Sequence, residues 1–398
     1  MHCQLEKKIV HFLPWYSIKN KGGTEIFILD LAKRQKQQGQ NVCVLSPGKF
    51  ESEFYFEGIQ IIETNLINTE GDFYQRNGFR RQNNHDNLLR LIKAMNTKII
   101  YFHCFWFYQF QYLKSILEET SIQVIIIPHL SNFLCQKGNL RYKNKVDCDG
   151  KATIEKCFKC NNTNFAFSHF YHFLPNKAID SSLLNSLILN KLNSRAQIEF
   201  YVKNFKIFES NRIKISVLSE WYLEILKKNI PNANTELFYN SDNQLISTVN
   251  GKHTPRVIKN NIKLLYVGRQ TEAKGLLLLI NAFKLLNSNK FSLTIIGPFD
   301  SGLSLESRDY LNFNITNLGP MRHEEIRTVF ETHDCLIVPS IDIEMRPLII
   351  IEGIQSGITI IGSNKGGISD LLKSYKKGVL FEAGNFVELK NTILKEFK

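Results

Sequence analysis

Two glutamates, Glu344 and Glu352, stand with seven residues between them in a segment that reads as strand, loop and helix. Pro347 suits the first helical turn, where its missing N–H would have had no intrahelical partner. The amides of residues 346–349 would then point out of the helix N-terminus and form an anion site favoured by the helix dipole. Glu344 falls in the loop beside that site, and Glu352 about one and a half turns inside the helix. Carboxylates so placed can accept hydrogen bonds from sugar hydroxyls while the helix end takes phosphates. Taken alone, two glutamates are equally a dipole partner and a buried, paired side chain.

Other residues point to the same chemistry. Gly268-Arg269 and Lys274-Gly275 flank the turn that leaves an apolar run at 262–267. A guanidinium and an ammonium at the carboxyl end of a parallel strand lie where open α/β sheets bind anions. Together they could neutralise a departing diphosphate without a metal ion; in isolation the same turn is two solvated cations. Gly366-Gly367, after the run 359–361, marks a tight strand-to-helix turn that lets backbone approach closely.

A second constellation is sulfur. Cys135, Cys148, Cys157 and Cys160 are separated by twelve, eight and two residues. The Cys157-Phe-Lys-Cys160 spacing lets two thiolates meet one ion, and four cysteines make a structural zinc site. Reduced, unliganded thiols and a disulfide pair are the alternatives. Cys3, Cys43, Cys104 and Cys335 sit in or beside apolar runs, where cysteine behaves as a small buried hydrophobe.

The elements that must hold these residues alternate. An apolar run at 8–13 is followed by a loop carrying Gly22-Gly23, then by a helical pattern (Ile28, Leu31, Ala32) with Thr24 as its cap and Gly39 at its end. Strands are expected at 41–46, 98–103, 123–128 and 213–217. After a polar linker at 241–261 the pattern resumes, with strands at 262–267, 291–296, 334–339, 359–361 and 379–381. Helices here are marked by the stripe Leu279, Ala282, Phe283 and Leu286, by Ile326, Val329 and Phe330, and by residues 347–356. Strands alternating with helices predict α/β architecture with two doubly wound parallel sheets. Residues 135–206 do not read as a βα unit and are expected to be an insertion, with a helix over 181–205.

Composition narrows the classes. The chain has 398 residues, 43% hydrophobic and 22% charged, which excludes a disordered or collagen-like protein. No apolar run approaches the ~18–20 residues that span a bilayer. The N-terminal residues have no signal-peptide core, so a cytoplasmic protein is expected. Fifty Lys and Arg against 37 Asp and Glu give a net charge of +13, which invites a polyanionic partner or is simply a solvated face. The basic run 76–81, leading into Leu88, Leu89 and Ile92, suits an interfacial helix on an anionic membrane. An ordinary helix packed on a sheet would show the same stripe.

In family order over nearly the whole chain, several motifs resemble the retaining GT-B glycosyltransferases of glycosyltransferase family 4. They are Gly22-Gly23-Thr24-Glu25, His129, Tyr266-Val267-Gly268-Arg269 with Lys274-Gly275, Val338-Pro339-Ser340, Glu344 through Glu352, and Gly357 with Gly366-Gly367. A cysteine-bearing insertion is similar to that of a subset of the family. The resemblance implies two Rossmann-like domains facing a central cleft: an acceptor-side domain at 1–250, with the insertion at about 131–206, and a nucleotide-sugar domain at 251–398. It implies that Gly22 and Gly23 approach the donor diphosphate, that Arg269 and Lys274 hold it, and that Pro347 and Leu348 open the helix beneath it. Glu344 would bind the transferred sugar, Glu352 the donor ribose, and His129 the sugar and acceptor at the cleft. His103 is equally a core or rim histidine.

Two features depart from the family pattern. Arg346 stands where an aromatic is commoner, which leaves sugar specificity open. The chain stops soon after Gly384, before the helices by which family members cross back to the first domain. The expectation is a retaining glycosyltransferase with no catalytic metal. It would move a sugar from a nucleotide-sugar to a lipid-linked or saccharide acceptor in surface-polysaccharide synthesis, peripheral on the cytoplasmic membrane face. The rivals are a nucleotide-sugar epimerase or phosphorylase on the same fold, and a zinc-containing nucleic-acid-binding protein. The last lacks a groove-reading helix pattern, so no nucleic acid is expected. A dehydrogenase is disfavoured because no strand is followed by G-x-G-x-x-G.

Overall fold

The computed structural model describes residues 7–14, 22–67, 81, 83–106, 109–161, 195–238, 261–287, 289–299 and 313–398. The expected linker at 241–261, save its last residue, lies outside them. So does most of the expected helix at 181–205, of which 195–203 is described and helical. Contacts divide the chain into two units, Met1–Val217 with Leu223–Leu237, and Leu218–Tyr222 with Phe238–Lys398.

Short, mostly buried apolar runs form the central strands of both units, as buried parallel sheets require, while edge strands are more open. In the first unit these are β1 (Lys8–Phe12), β2 (Asn41–Pro47), β3 (Ser52–Phe56), β4 (Ile59–Thr64), β5 (Thr97–His103) and β6 (Gln123–Ile127). A small hairpin, β7 (Arg141–Tyr142) and β8 (Val146–Asp147), lies in the insertion, and β9 (Ile213–Val217) and β10 (Thr235–Leu237) complete the set. The sheet order is β10-β9-β6-β5-β1-β2-β4-β3, with every pair parallel except β3 with β4. Strand order therefore reverses between β1 and β5, and ligands of doubly wound sheets bind outside the strand ends at such a reversal.

The second unit has one fully parallel sheet, β13 (Ile315–Gly319), β12 (Phe291–Ile296), β11 (Ile262–Val267), β14 (Cys335–Val338), β15 (Thr359–Ser363) and β16 (Gly378–Phe381), in that spatial order. Its reversal lies between β11 and β14. On one face Leu279, Ala282, Phe283 and Leu286 pack with Phe291 and Leu389; on the other Ile350, Ile354, Ile368 and Leu372 pack with Leu336 and Ile360.

Three expectations need correction, and one hairpin was not foreseen. Thr24 does not cap the first helix: Gly22 is its N-cap, no side chain caps it, and Thr24 lies inside the helix Gly23–Gln37. Pro347 is the N-cap of the helix Leu348–Ser356 rather than its first turn. The hairpin β3–β4 closes through Glu57 and Gly58, both at positive φ, without the Asn-Gly signal usual for such a turn. The interfacial-helix reading also fails, because Leu88, Leu89 and Ile92 are buried within the helix His85–Ala94. Arg81 pairs with Asp86 and Glu119, and Arg76 and Arg80 lie outside the described residues. Among the described residues no helix is long and apolar enough to cross a membrane.

Candidate functional site

The second unit brings Arg269, Lys274 and Glu344 to the loops at the β11–β14 reversal. The loops leaving these strands are tied together: Ile341 and Asp342 both donate their amides to Ala273 O, at 2.9 and 3.0 Å. That junction sets Lys274 Nζ 2.7 Å from Glu344 Oε2, and Ser340 Oγ donates to the other carboxylate oxygen. Gly275, at φ +74°, caps the helix Leu276–Phe283, and a Cβ there would lie 1.9 Å from Pro339 O. Only glycine allows the two loops to approach so closely.

Gly366 and Gly367 begin the helix Gly366–Lys373 and support Glu344 from another side. Gly367 N donates to Glu344 O at 2.8 Å, and a Cβ on Gly367 would lie 1.8 Å from Met345 O. Arg269 is exposed; its carbonyl accepts from the hydroxyl of buried Tyr266 at 2.7 Å, which fixes the turn. Pro347 and Leu348 stand at the start of the helix Leu348–Ser356, and Glu352 is half-buried within it.

Three polar residues with supporting roles were not singled out by sequence. Gln270, fully buried, donates to Gly297 O at 2.8 Å and exchanges hydrogen bonds with Asn317, joining the turn after β11 to the ends of β12 and β13. Ser340 holds Glu344, and Lys365 Nζ donates to Ile341 O at 2.9 Å. Their residue types carry no signal without the fold, although Ser340 lies in one of the motifs.

In the first unit, Gly22 and Gly23 open the helix Gly23–Gln37. His129 follows β6 and does not stand alone. His129 Nε2 is 2.9 Å from His103 Nδ1, and His103 Nε2 is 2.9 Å from His11 Nδ1. His11 Nε2 is 2.7 Å from Gln35 Oε1, and Gln35 Nε2 donates to Tyr101 Oη at 3.1 Å. Phe27 packs edge-on against His129 at 4.8 Å between ring centroids. Burial disfavours the charged imidazoles, lowering His11 to about 4 and His129 to about 3. His103 also falls well below its ordinary value through burial and its two histidine neighbours.

All four insertion cysteines line one cavity, with Leu134, Leu140 and Tyr201 among its walls. Cys160 Sγ accepts the Lys143 amide at 3.1 Å. Burial above all, with the nearby Cys135 and Cys148 adding to it, pushes the Cys157 thiol up to about 11. The thiols do not form a ligand shell: among the described residues no group of three or more His, Cys, Asp or Glu is placed to hold a metal ion. The expected tetrahedral site is thus gathered to one cavity but not closed.

Residues 252–397 match the family described as Glycosyl transferases group 1. The chain is 27% identical over 121 residues to the lipopolysaccharide 1,2-N-acetylglucosaminetransferase of Salmonella typhimurium, covering 27% of this chain and 32% of that protein. It is 23% identical over 218 residues to the amylovoran biosynthesis glycosyltransferase AmsK of Erwinia amylovora, covering 51% and 52%. These matches span about a third and about half of the relatives' lengths. Among solved structures, sucrose-phosphate synthase of Thermosynechococcus elongatus aligns with a TM-score of 0.65 at 15% identity, over 98% of this chain and 89% of that one. Anabaena HepE, solved with UDP and glucose, aligns with a TM-score of 0.56 at 16% identity, over 98% and 89%. The fold of this chain, two Rossmann-like units each built on a parallel sheet, is GT-B.

Proposed function

We propose that this chain is a retaining glycosyltransferase that moves a sugar from a nucleotide-sugar to an acceptor hydroxyl, with no metal ion in the catalytic step. One observation carries the reading: a lysine and a glutamate, 70 residues apart in sequence, meet at the strand-order reversal of the second sheet. Lys274 and the exposed Arg269 would hold the donor diphosphate and stabilise the charge that develops as it leaves. The helix start at Pro347 and Leu348 would contribute N–H groups to the same anion. Glu344 would accept hydrogen bonds from hydroxyls of the transferred sugar, and Glu352 from those of the ribose.

In the first unit, Gly22 and Gly23 are assigned to the diphosphate and His129 to the sugar and acceptor. In this reading the bond from the anomeric carbon to the diphosphate oxygen breaks, and the bond to the acceptor oxygen forms on the same face. The acceptor proton passes to the departing diphosphate, so no enzyme nucleophile is required. The complex of HepE with UDP and glucose, and the lipopolysaccharide and amylovoran glycosyltransferases among the curated relatives, support a nucleotide-sugar donor and a saccharide or lipid-linked acceptor. Such an acceptor fits work at the cytoplasmic membrane face.

A panel of nucleotide-sugars screened by thermal shift tests this, because a donor that binds only the native state raises the melting temperature by mass action. Stabilisation by one nucleotide-sugar, with release of its nucleoside diphosphate when acceptor is added, is the expected result. Turnover of the donor sugar into its epimer, or phosphorolysis, would replace the transferase reading by one of its enzymatic rivals.

The cysteine cavity supports a smaller proposal, that the four thiols close on one zinc ion through side-chain rotation. An all-sulfur donor set and the amide of Lys143 aimed at Cys160 Sγ fit thiolate ligation.

A further inference from the structure

His11, His103 and His129 come from three different strand ends, β1, β5 and the residue pair after β6, which the sheet order makes adjacent. They form one uninterrupted chain of imidazoles, each 2.9 Å from the next. A neutral imidazole has one N–H and one lone pair, so a proton placed at one end dictates every proton along such a chain.

The buried end supplies that placement. Gln35 donates its amide nitrogen to Tyr101 Oη and turns its oxygen to His11. An amide oxygen only accepts, so His11 carries its proton on Nε2 and leaves Nδ1 bare. His103 must then donate from Nε2 to His11 Nδ1, and its own Nδ1 must accept. His129 in turn donates from Nε2, which leaves His129 Nδ1 as a bare lone pair. His11 and His103 are held neutral for the same reason, since a second proton on either would set two N–H groups against each other, and burial disfavours the charged form of His129.

His11 and His103 are fully buried, while His129 is only partly so. Its Nδ1 has no hydrogen-bond partner among the described residues. The chain thus begins beneath the helix Gly23–Gln37 and ends beside the β1–β5 reversal, where the sheet opens to ligands.

We propose that Gln35, His11 and His103 are positioning residues that lock His129 as the Nε2–H tautomer, presenting Nδ1 as a fixed acceptor for a hydroxyl donor. The hydroxyl's identity as one on the sugar or acceptor rests on the glycosyltransferase reading; the tautomer lock does not. The device is a single two-state unit, because turning the Gln35 amide would reverse all three protons together. His129 would then offer an N–H where it had offered a lone pair.

The test uses the full chain labelled with 15N-histidine, whose ring nitrogen resonances report which atoms carry protons. At neutral pH all three rings should be Nε2–H tautomers. Finding any of them protonated at Nδ1, or doubly protonated, overturns the lock. Gln35→Met removes the acceptor at similar volume, and Tyr101→Phe removes the partner that orients the amide while keeping the ring. Each should give mixed tautomers at His129. Gln35→Glu, which can only accept, should retain the wild-type pattern.

If the lock serves transfer, Gln35→Met and Tyr101→Phe lower kcat about 10- to 100-fold with donor affinity unchanged, and Gln35→Glu restores it. Mixed tautomers with unchanged kcat would overturn the positioning role. Absence of donor binding by wild type would remove the transferase reading, and the resonances would still decide the lock.

Discussion

Lys274 Nζ and Glu344 Oε2 are 2.7 Å apart, so the two side chains proposed for the diphosphate and the sugar of a donor satisfy one another. On the proposed reading, a diphosphate reaching Lys274 would compete with the carboxylate, and Glu344 would be freed for sugar hydroxyls as Lys274 turned to phosphate. The pair is partly buried, so each charge depends on the other or on ligand.

Glu344→Gln and Lys274→Ala should each lower transfer about 100- to 1000-fold while leaving the protein folded. The two variants should differ in how they bind nucleoside diphosphate alone. Glu344→Gln releases Lys274 from its partner, and at ~1 kcal/mol for a partly buried pair the diphosphate should bind roughly fivefold tighter. Lys274→Ala should bind it more weakly. Calorimetric titration with the diphosphate and an initial-rate assay check both, and near wild-type turnover by either variant would remove the pair from the mechanism.

Gly367 offers a steric test of the same site. An alanine Cβ there would lie 1.8 Å from Met345 O and 3.0 Å from Glu344 O, both backbone atoms that cannot swing aside. Gly367→Ala should cost about 2–3 kcal/mol and displace the Glu344 loop, with loss of transfer. Gly319→Ala is the matched control. Gly319, unlike Gly367, has positive φ, but nothing lies within 4 Å of its Cβ position, so only backbone strain of about 1 kcal/mol applies. Urea unfolding of the two variants should separate them clearly.

The contrast between β11 and β13 explains what the sequence conveyed about the fold. β11 and β12 occupy the residues expected of them because each is a mainly apolar and mainly buried run. β13, Ile-Thr-Asn-Leu-Gly, has three of its five residues exposed, and edge strand β3 is likewise mostly open, so neither carries a burial pattern to read. The candidate residues Glu344, Lys274, Arg269 and the glycine pairs stand out by type and spacing at strand ends. Their pairing does not, because Lys274 meets Glu344 only through the adjacency of β11 and β14, a tertiary fact. His11 is the clearest case. It sits in an apolar strand with no motif around it, and only the order β6-β5-β1 brings it into line with His103 and His129.

For the cysteine cavity the expected outcome is about one zinc per chain in protein purified without a metal-affinity tag, measured by elemental analysis. Removing the metal with a chelator should lower the melting temperature, and Cys157→Ser should reproduce that loss. A metal-free protein with the full melting temperature and four titratable thiols at this cavity would make the cluster plain reduced cysteine.

The histidine chain also fixes the acid limit of the fold. His11 and His129 have folded values of about 4 and about 3, against 6.5 in an unfolded chain, because burial penalises their charged forms. Below pH 6.5 the unfolded state therefore binds protons that the folded state refuses, and stability falls as pH falls. Above 6.5 neither state binds them and this contribution to the pH dependence vanishes. His11 alone, over the interval from 6.5 to about 4, should remove about 3 kcal/mol. Urea midpoints should be flat from pH 7 to 8 and then decline steadily from pH 6.5 towards 4. His11→Gln should flatten that decline, since glutamine takes up no proton in either state. An unchanged slope in that variant would mean that carboxylate protonation elsewhere, rather than the buried imidazoles, sets the acid limit.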